Sequence, residues 1–105
     1  MLKGKFPLIL SETVMVSFDE GLLYSEKALK QKKRIESRLK NGKKLKNVWL
    51  LTDPANPRNL YEIIESKLLR FSYYKNKDIR VYAVGKNRDE VVTLLLSVLE
   101  KRESL

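Results

Sequence analysis

The chain has 105 residues, of which 43% are hydrophobic and 33% are charged. These proportions exclude a disordered tail, and no apolar stretch approaches the roughly 20 residues that a membrane-spanning helix needs. Cysteine and histidine are both absent, which excludes thiolate nucleophiles, zinc sites built on those residues and catalysis by an imidazole base.

Length and the N-terminal sequence bear on domain count and location. A chain of this size buries roughly two-thirds of its unfolded surface on folding, enough for one hydrophobic core. The sequence therefore predicts a single domain over residues 1–105. Residues 1–7 are basic but lack the long apolar segment and cleavage site of a signal peptide, so we expect a cytoplasmic protein with no membrane partner.

The positive charge is concentrated in one segment. The formal net charge is +9, from 22 basic and 13 acidic residues. Residues 26–46 hold ten basic residues and two acidic ones, Glu26 and Glu36, a net charge of +8 for this segment. Because the rest of the chain is nearly neutral, the pattern indicates one surface that differs from the others and favours a polyanionic partner.

The first predicted elements are a strand over residues 13–18 and a long helix over residues 22–40. Val14, Val16 and Phe18 alternate with smaller residues, and the following Asp-Glu-Gly sequence is typical of a strand end. The next nineteen residues contain no glycine or proline and carry apolar residues at helical spacing, up to an Asn-Gly pair that ends the predicted helix.

Two more strand-and-helix pairs follow. The continuous apolar run at residues 47–52 predicts a buried strand, and residues 59–74 carry an apolar stripe typical of a second helix. Residues 79–84 read as a third strand. A third helix is predicted over residues 88–101, with apolar residues around most of its circumference.

Three strand-then-helix units in succession favour an α/β fold with parallel strands and right-handed crossovers. We therefore predict a small sheet of three or four mainly parallel strands flanked by helices, in two or three layers. Residues 5–10 are the candidate fourth strand, which Pro7 would restrict to an edge of the sheet.

The basic segment predicts a phosphate-binding surface. On a continuous helix, Lys27, Lys30, Arg34 and Arg38 fall within an arc of about 80°, and the loop that follows extends this row. Such a row contacts the phosphates of a nucleic acid without reading its sequence. The alternative is an ordinary solvated helix face. The predicted nucleic-acid-binding residues are Lys27, Lys30, Lys33, Arg34, Arg38, Lys43, Lys44 and Lys46.

An enzymatic alternative rests on polar residues at the predicted strand ends. In a parallel sheet these ends share one edge, where ligands usually bind. Asp19, Glu20 and Asp53 would then be candidate Mg²⁺ ligands for nuclease or phosphoryl-transfer chemistry, with Lys86 or Arg88 contacting phosphate. Such residues also serve as ordinary turn and cap residues. The non-enzymatic reading expects no cofactor.

The third predicted helix offers a different kind of function. Only Thr93 and Ser97 interrupt its apolar sequence from Val91 to Leu99. This arc is broader than a helix covering one side of a sheet requires. Two interpretations remain open, a homodimer formed through residues 88–101 and burial between the sheet and a neighbouring helix.

The order of these features resembles one known family. A strand ending in Asp19-Glu20-Gly21, a basic helix, the sequence from Val48 to Asp53, and Pro57-Arg58 before another helix resemble the C-terminal half of replication-relaxation proteins of plasmids and integrative elements. Over residues 13–85 this resemblance implies a restriction-endonuclease-like domain. Neither Glu12-Thr13-Val14 nor Glu20-Gly21-Leu22 completes the E-x-K nuclease motif of that fold, so the resemblance implies a non-cleaving DNA-binding derivative.

Overall fold

Four strands and three α-helices make up the part of the chain that the structure, a computed structural model, describes: residues 15–43, 45–54, 58–70 and 78–104. In chain order they are β1 (Met15–Tyr24), α1 (Glu26–Leu29), α2 (Lys32–Lys40), β2 (Trp49–Thr52), β3 (Glu62–Glu65), a 3-10 helix (Ser66–Arg70), β4 (Asp78–Gly85) and α3 (Arg88–Ser104). The predicted strand at 5–10, the end of the predicted helix at 59–74 and Lys44 lie outside the described residues.

The strands form one mixed sheet in the order β1-β4-β2-β3. Only β1 and β4 are parallel, whereas β2 pairs antiparallel with both β4 and β3. The fold is α/β as predicted, but the prediction of mainly parallel strands is wrong. One reason lies at residues 59–70, where the structure has β3 and a 3-10 helix in place of the predicted helix. The chain therefore returns from β2 as a hairpin partner instead of crossing over.

Strand β1 continues past its predicted end. Phe18 pairs with Val81 and Leu23 pairs with Ala83. Four residues of β1, 19–22, therefore lie between these two pairs, where β4 has only Tyr82. The Asp19 side chain accepts a hydrogen bond from the backbone N–H of Gly21 at 3.0 Å and stabilises the turn within this irregularity. The Asp-Glu-Gly sequence is thus a bulge within the strand, and the strand resumes through Tyr24.

The predicted long helix is two helices. Ser25 caps α1, with its hydroxyl accepting a hydrogen bond from the N–H of Ala28 at 3.2 Å. The helical path is interrupted at Gln31, whose φ and ψ of −117° and 22° depart from helical values. Lys86 donates from Nζ to Oε1 of Gln31 at 3.0 Å, a contact from a distant strand end that sequence periodicity does not reveal.

Helices cover both faces of the sheet. One core joins Ala28, Ile35 and Leu39 of α1 and α2 to residues such as Leu50 and Val81. The other joins Val91 and Val98 of α3 to Leu51 and Ala83. The described residues thus form three layers, one of the two predicted arrangements. Among them no helix is both long and apolar enough to cross a bilayer.

Candidate nucleic-acid interface

Helices α1 and α2 turn one side to the core and the other outward. Ala28 and Ile35 are 0% exposed and Leu39 is 5% exposed, so the sequence stripe that predicted a helix does face the sheet. The basic side chains between these positions are displaced toward solvent. We call the following set the basic surface: Lys27, Lys30, Lys32, Lys33, Arg34, Arg38, Lys40, Lys43 and Lys46.

Apart from Lys44, which lies outside the described residues, the predicted binding residues belong to this surface, although they do not form one continuous row. Lys27 lies on α1, Lys30 caps its C-terminal end, and Lys33 lies in the first turn of α2. Arg34 is exposed and Arg38 is half-buried. The arc predicted for a single helix therefore becomes two short groups that meet at the interruption.

A Schellman motif and two apolar residues fix the loop after α2. Gly42, with φ of 67°, donates to the carbonyl of Leu39 at 3.3 Å, and Lys43 donates to the carbonyl of Arg38 at 2.8 Å. Leu45 is 3% exposed and Val48 is 1% exposed. Because Leu45 is anchored in the core, the loop is held against the domain while Lys43 and Lys46 remain exposed.

Aromatic residues of β1 position two lysines that sequence reasoning left out of the site. The Lys32 ammonium lies 5.8 Å from the ring centroid of Tyr24, and that of Lys40 lies 5.5 Å from the ring centroid of Phe18. These are cation–π distances. The eight-residue spacing of the two lysines on α2 was visible in the sequence, but their aromatic partners on β1 were not.

The acidic residues of the segment weaken the positive field only in part. Glu36 is half-buried and accepts a hydrogen bond from the Tyr24 hydroxyl. Burial, followed by this contact with a carboxylate, raises the pKa of Tyr24 well above its usual range, so the tyrosine stays protonated. Glu26 is exposed in the first turn of α1. The surface therefore keeps a strong excess of positive charge.

The candidate metal ligand Asp19 has a protein cation as its partner. Arg80 of β4 donates to Oδ1 of Asp19 from Nε at 3.0 Å and from a terminal nitrogen at 2.7 Å. These hydrogen bonds lower the pKa of Asp19 against the opposing effect of its partial burial. The guanidinium thus occupies the position beside this carboxylate that a metal ion would need.

Asp53, the other main candidate, accepts a hydrogen bond from the Tyr82 hydroxyl at 2.7 Å. Burial, and then this hydrogen bond, raise the pKa of Tyr82 to about 12. Glu20 is exposed. Among the described residues, no group of three or more carboxylates, histidines or cysteines is arranged to hold a metal ion.

The predicted strand ends do not share one edge. Because β2 is antiparallel to β4, Asp53 follows β2 at the end of the sheet where β4 begins, away from Lys86, Asn87 and Arg88. The single-edge arrangement expected for these residues is therefore wrong. It required the parallel sheet that the β2–β3 hairpin replaces.

A carboxylate of the chain itself occupies the N-terminus of α3. Glu90 accepts the N–H of Lys86 at 2.7 Å, and Asn87 Oδ1 accepts the N–H of Glu90 at 2.9 Å. A hydrogen bond from the Ser25 side chain, followed by the one from Lys86, lowers the pKa of Glu90. This reciprocal cap joins the ends of β1 and β4 and satisfies the helix terminus.

Comparisons with protein-family models, curated proteins and solved structures found no match for this chain. The resemblance to replication-relaxation proteins therefore stays a prediction.

Proposed function

We propose that this chain is a non-enzymatic nucleic-acid-binding domain that contacts phosphates through the basic surface. The main supporting observation is that nine described basic side chains lie on one helical layer and its adjoining loop. All of them are exposed except Arg38, which is half-buried. The nucleic acid we favour is duplex DNA.

The available charge supports this function. Lys30, Lys33, Arg34 and Lys43 form no ion pair with any residue that the structure describes. Like charges held together on one layer repel each other, and a polyanion relieves that repulsion. A phosphate backbone is the polyanion whose regular charges suit a rigid helical surface.

Dimensions support the same ligand. Helix α2 has nine residues, so it is about 13 Å long, comparable to the span of about four phosphates along one strand of duplex DNA. Cation–π contacts hold Lys32 and Lys40 on one side of the helix, and the anchored loop carries Lys43 and Lys46 beyond its end. Because these side chains are already held in place, fewer of them lose conformational freedom when the surface binds a phosphate backbone, and the entropic cost of binding is smaller.

The carboxylates play no part in the proposed function. Asp19 is engaged by Arg80 and Asp53 by Tyr82, so we assign both acids to the packing of β1, β4 and the loop after β2. No observation favours the Mg²⁺-dependent nuclease or phosphoryl-transfer alternative over this assignment.

Fluorescence anisotropy with labelled duplex DNA, single-stranded DNA and RNA tests the proposal. The variant K33Q/R34Q removes two charges from the basic surface. Its matched control is R88Q/K101Q, which removes one arginine and one lysine from exposed positions of α3 on the opposite face of the sheet. We expect weaker binding for the first variant and nearly unchanged binding for the control. Equal losses in both variants would show that only net charge matters and would contradict the proposed surface.

A further inference from the structure

The outward side of α3 carries an apolar patch, Val92, Leu96 and Leu99, that the core formed by the described residues does not include. At 100° per residue, Val92, Leu96 and Leu99 lie roughly 90° to 150° around the helix from the buried Val91 and Val98. Leu96 is 59% exposed, and Val92 and Leu99 are only partly buried. Burial against the sheet therefore explains one side of this apolar helix and leaves the other side unexplained.

We infer that this patch is the centre of a homodimer contact in which α3 packs antiparallel against α3 of a second copy. Val92 and Leu96 of this patch also belong to a row at intervals of four residues, which begins at Arg88 and ends at Glu100. Residues at this spacing form a ridge that packs into the groove of a neighbouring helix. The inference does not depend on the proposed function.

The charges at the two ends of the row identify the partner as a second copy. Arg88 lies at one end and Glu100 at the other, about 18 Å apart along the helix. An antiparallel two-fold arrangement centred at the level of residue 94 places each Arg88 opposite the other copy's Glu100. It also places each Val92 opposite Leu96. The row is thus complementary to itself, as a two-fold interface requires.

The opposed helix directions add a smaller favourable contribution. In this arrangement the N-terminus of each α3, with its partial positive charge, lies beside the C-terminal half of the other helix. One helix from each copy buries less area than the roughly 1,200 Å² typical of stable complexes, so we expect dissociation in the micromolar range.

Sedimentation velocity over protein concentrations from about 1 μM to about 500 μM tests the dimer. Wild type should shift from monomer to dimer across this range. Leu96→Glu should remain monomeric, because it would bury two carboxylates at the centre of the contact. Ser97→Glu adds the same charge at an exposed neighbour on another side of α3 and should dimerise like wild type. Circular dichroism checks that both variants are folded.

Charge reversal tests the pairing itself. Arg88→Glu and Glu100→Arg should each weaken self-association, since each places like charges opposite one another at both ends of the contact. A mixture of the two single variants should form a heterodimer, because both ends then become complementary. A wild-type monomer at every concentration, a dimer unaffected by Leu96→Glu, or no heterodimer in the mixture would each overturn the inference.

Discussion

Two side chains of β4, Arg80 and Tyr82, engage the carboxylates of Asp19 and Asp53. The Arg80 guanidinium donates two hydrogen bonds to Asp19, and the neighbouring Tyr82 donates one to Asp53. A carboxylate that already accepts charge-assisted hydrogen bonds is a poor metal ligand, because the arginine must be displaced first. The Asp19 carboxylate therefore stabilises the bulge of β1, and the Asp53 carboxylate stabilises the loop after β2.

Asp19→Asn should lower the free energy of unfolding at neutral pH and change it little at acidic pH. The Arg80 hydrogen bonds hold the pKa of Asp19 below its unfolded value of roughly 3.9. Their contribution to the free energy of unfolding is therefore complete above that value and lost as pH falls through the folded pKa. Urea unfolding of both proteins at pH 7 and near pH 3 measures the difference, which should be modest because the pair is partly exposed.

The metal alternative makes a contrasting claim about the same residue. If Asp19 were a Mg²⁺ ligand, millimolar Mg²⁺ would raise the melting temperature of wild type and leave the Asn variant unchanged. We expect the two proteins to show no such difference. A Mg²⁺-dependent stabilisation that Asp19→Asn abolishes would contradict the structural role.

Sequence reasoning identified the exposed basic residues but not the side-chain contacts between residues far apart in the chain. The helical spacing of Ala28, Ile35 and Leu39 predicts that they are buried on one side of the helix. The lysines between them therefore lie on the exposed side. The contact between Asp19 and Arg80 joins residues 61 positions apart. No local pattern predicts such a contact, since it depends on which strands become neighbours.

Among the elements, those with a strong local signal were predicted well. Strands β2 and β4 and helix α3 lie within a few residues of their predicted bounds. Strand β3 was missed because Ile63 and Ile64 face opposite cores. A short strand buried on both faces has adjacent apolar residues, which also fit a helical stripe, and periodicity alone does not distinguish the two.

Gly85 allows α3 to start directly after β4. A Cβ atom at this position would lie 2.9 Å from Cβ of Glu90 and 2.9 Å from Cγ2 of Val91. Neither atom moves easily, since both belong to the first turn of α3 beside the core. We therefore expect Gly85→Ala to lower the free energy of unfolding by about 1–3 kcal/mol, measured by urea denaturation. Gly21→Ala, whose nearest contact would be 3.4 Å, is the control; an equal loss in both would disprove the steric reason.

In the whole molecule, the two proposed surfaces lie on opposite faces of the sheet. Helices α1 and α2 pack on one face and α3 packs on the other. A dimer formed through α3 therefore directs its two basic surfaces away from each other, about 50 Å apart if each layer adds about 10 Å. Such a dimer suits two separate duplexes better than adjacent sites on one duplex.

This geometry predicts bridging, which rests on both proposals together. Two short duplexes carrying a donor and an acceptor fluorophore should show energy transfer with wild type above its dimerisation range. Leu96→Glu should abolish the transfer while its anisotropy with a single duplex stays close to wild type. Transfer at the wild-type level in this variant would show that bridging does not use α3.

The most direct test of the central claim is the salt dependence of duplex DNA binding by wild type and K33Q/R34Q. Each phosphate contact contributes about 0.9 to the negative slope of log K against log salt concentration. If Lys33 and Arg34 each contact a phosphate, the slope should become shallower by about 1.8 in the variant. It should stay unchanged in R88Q/K101Q at protein concentrations below the dimerisation range, where the loss of Arg88 from the α3 contact has no effect. Identical slopes in all three proteins, or no binding by wild type at low salt, would contradict the assignment of the basic surface as a nucleic-acid interface.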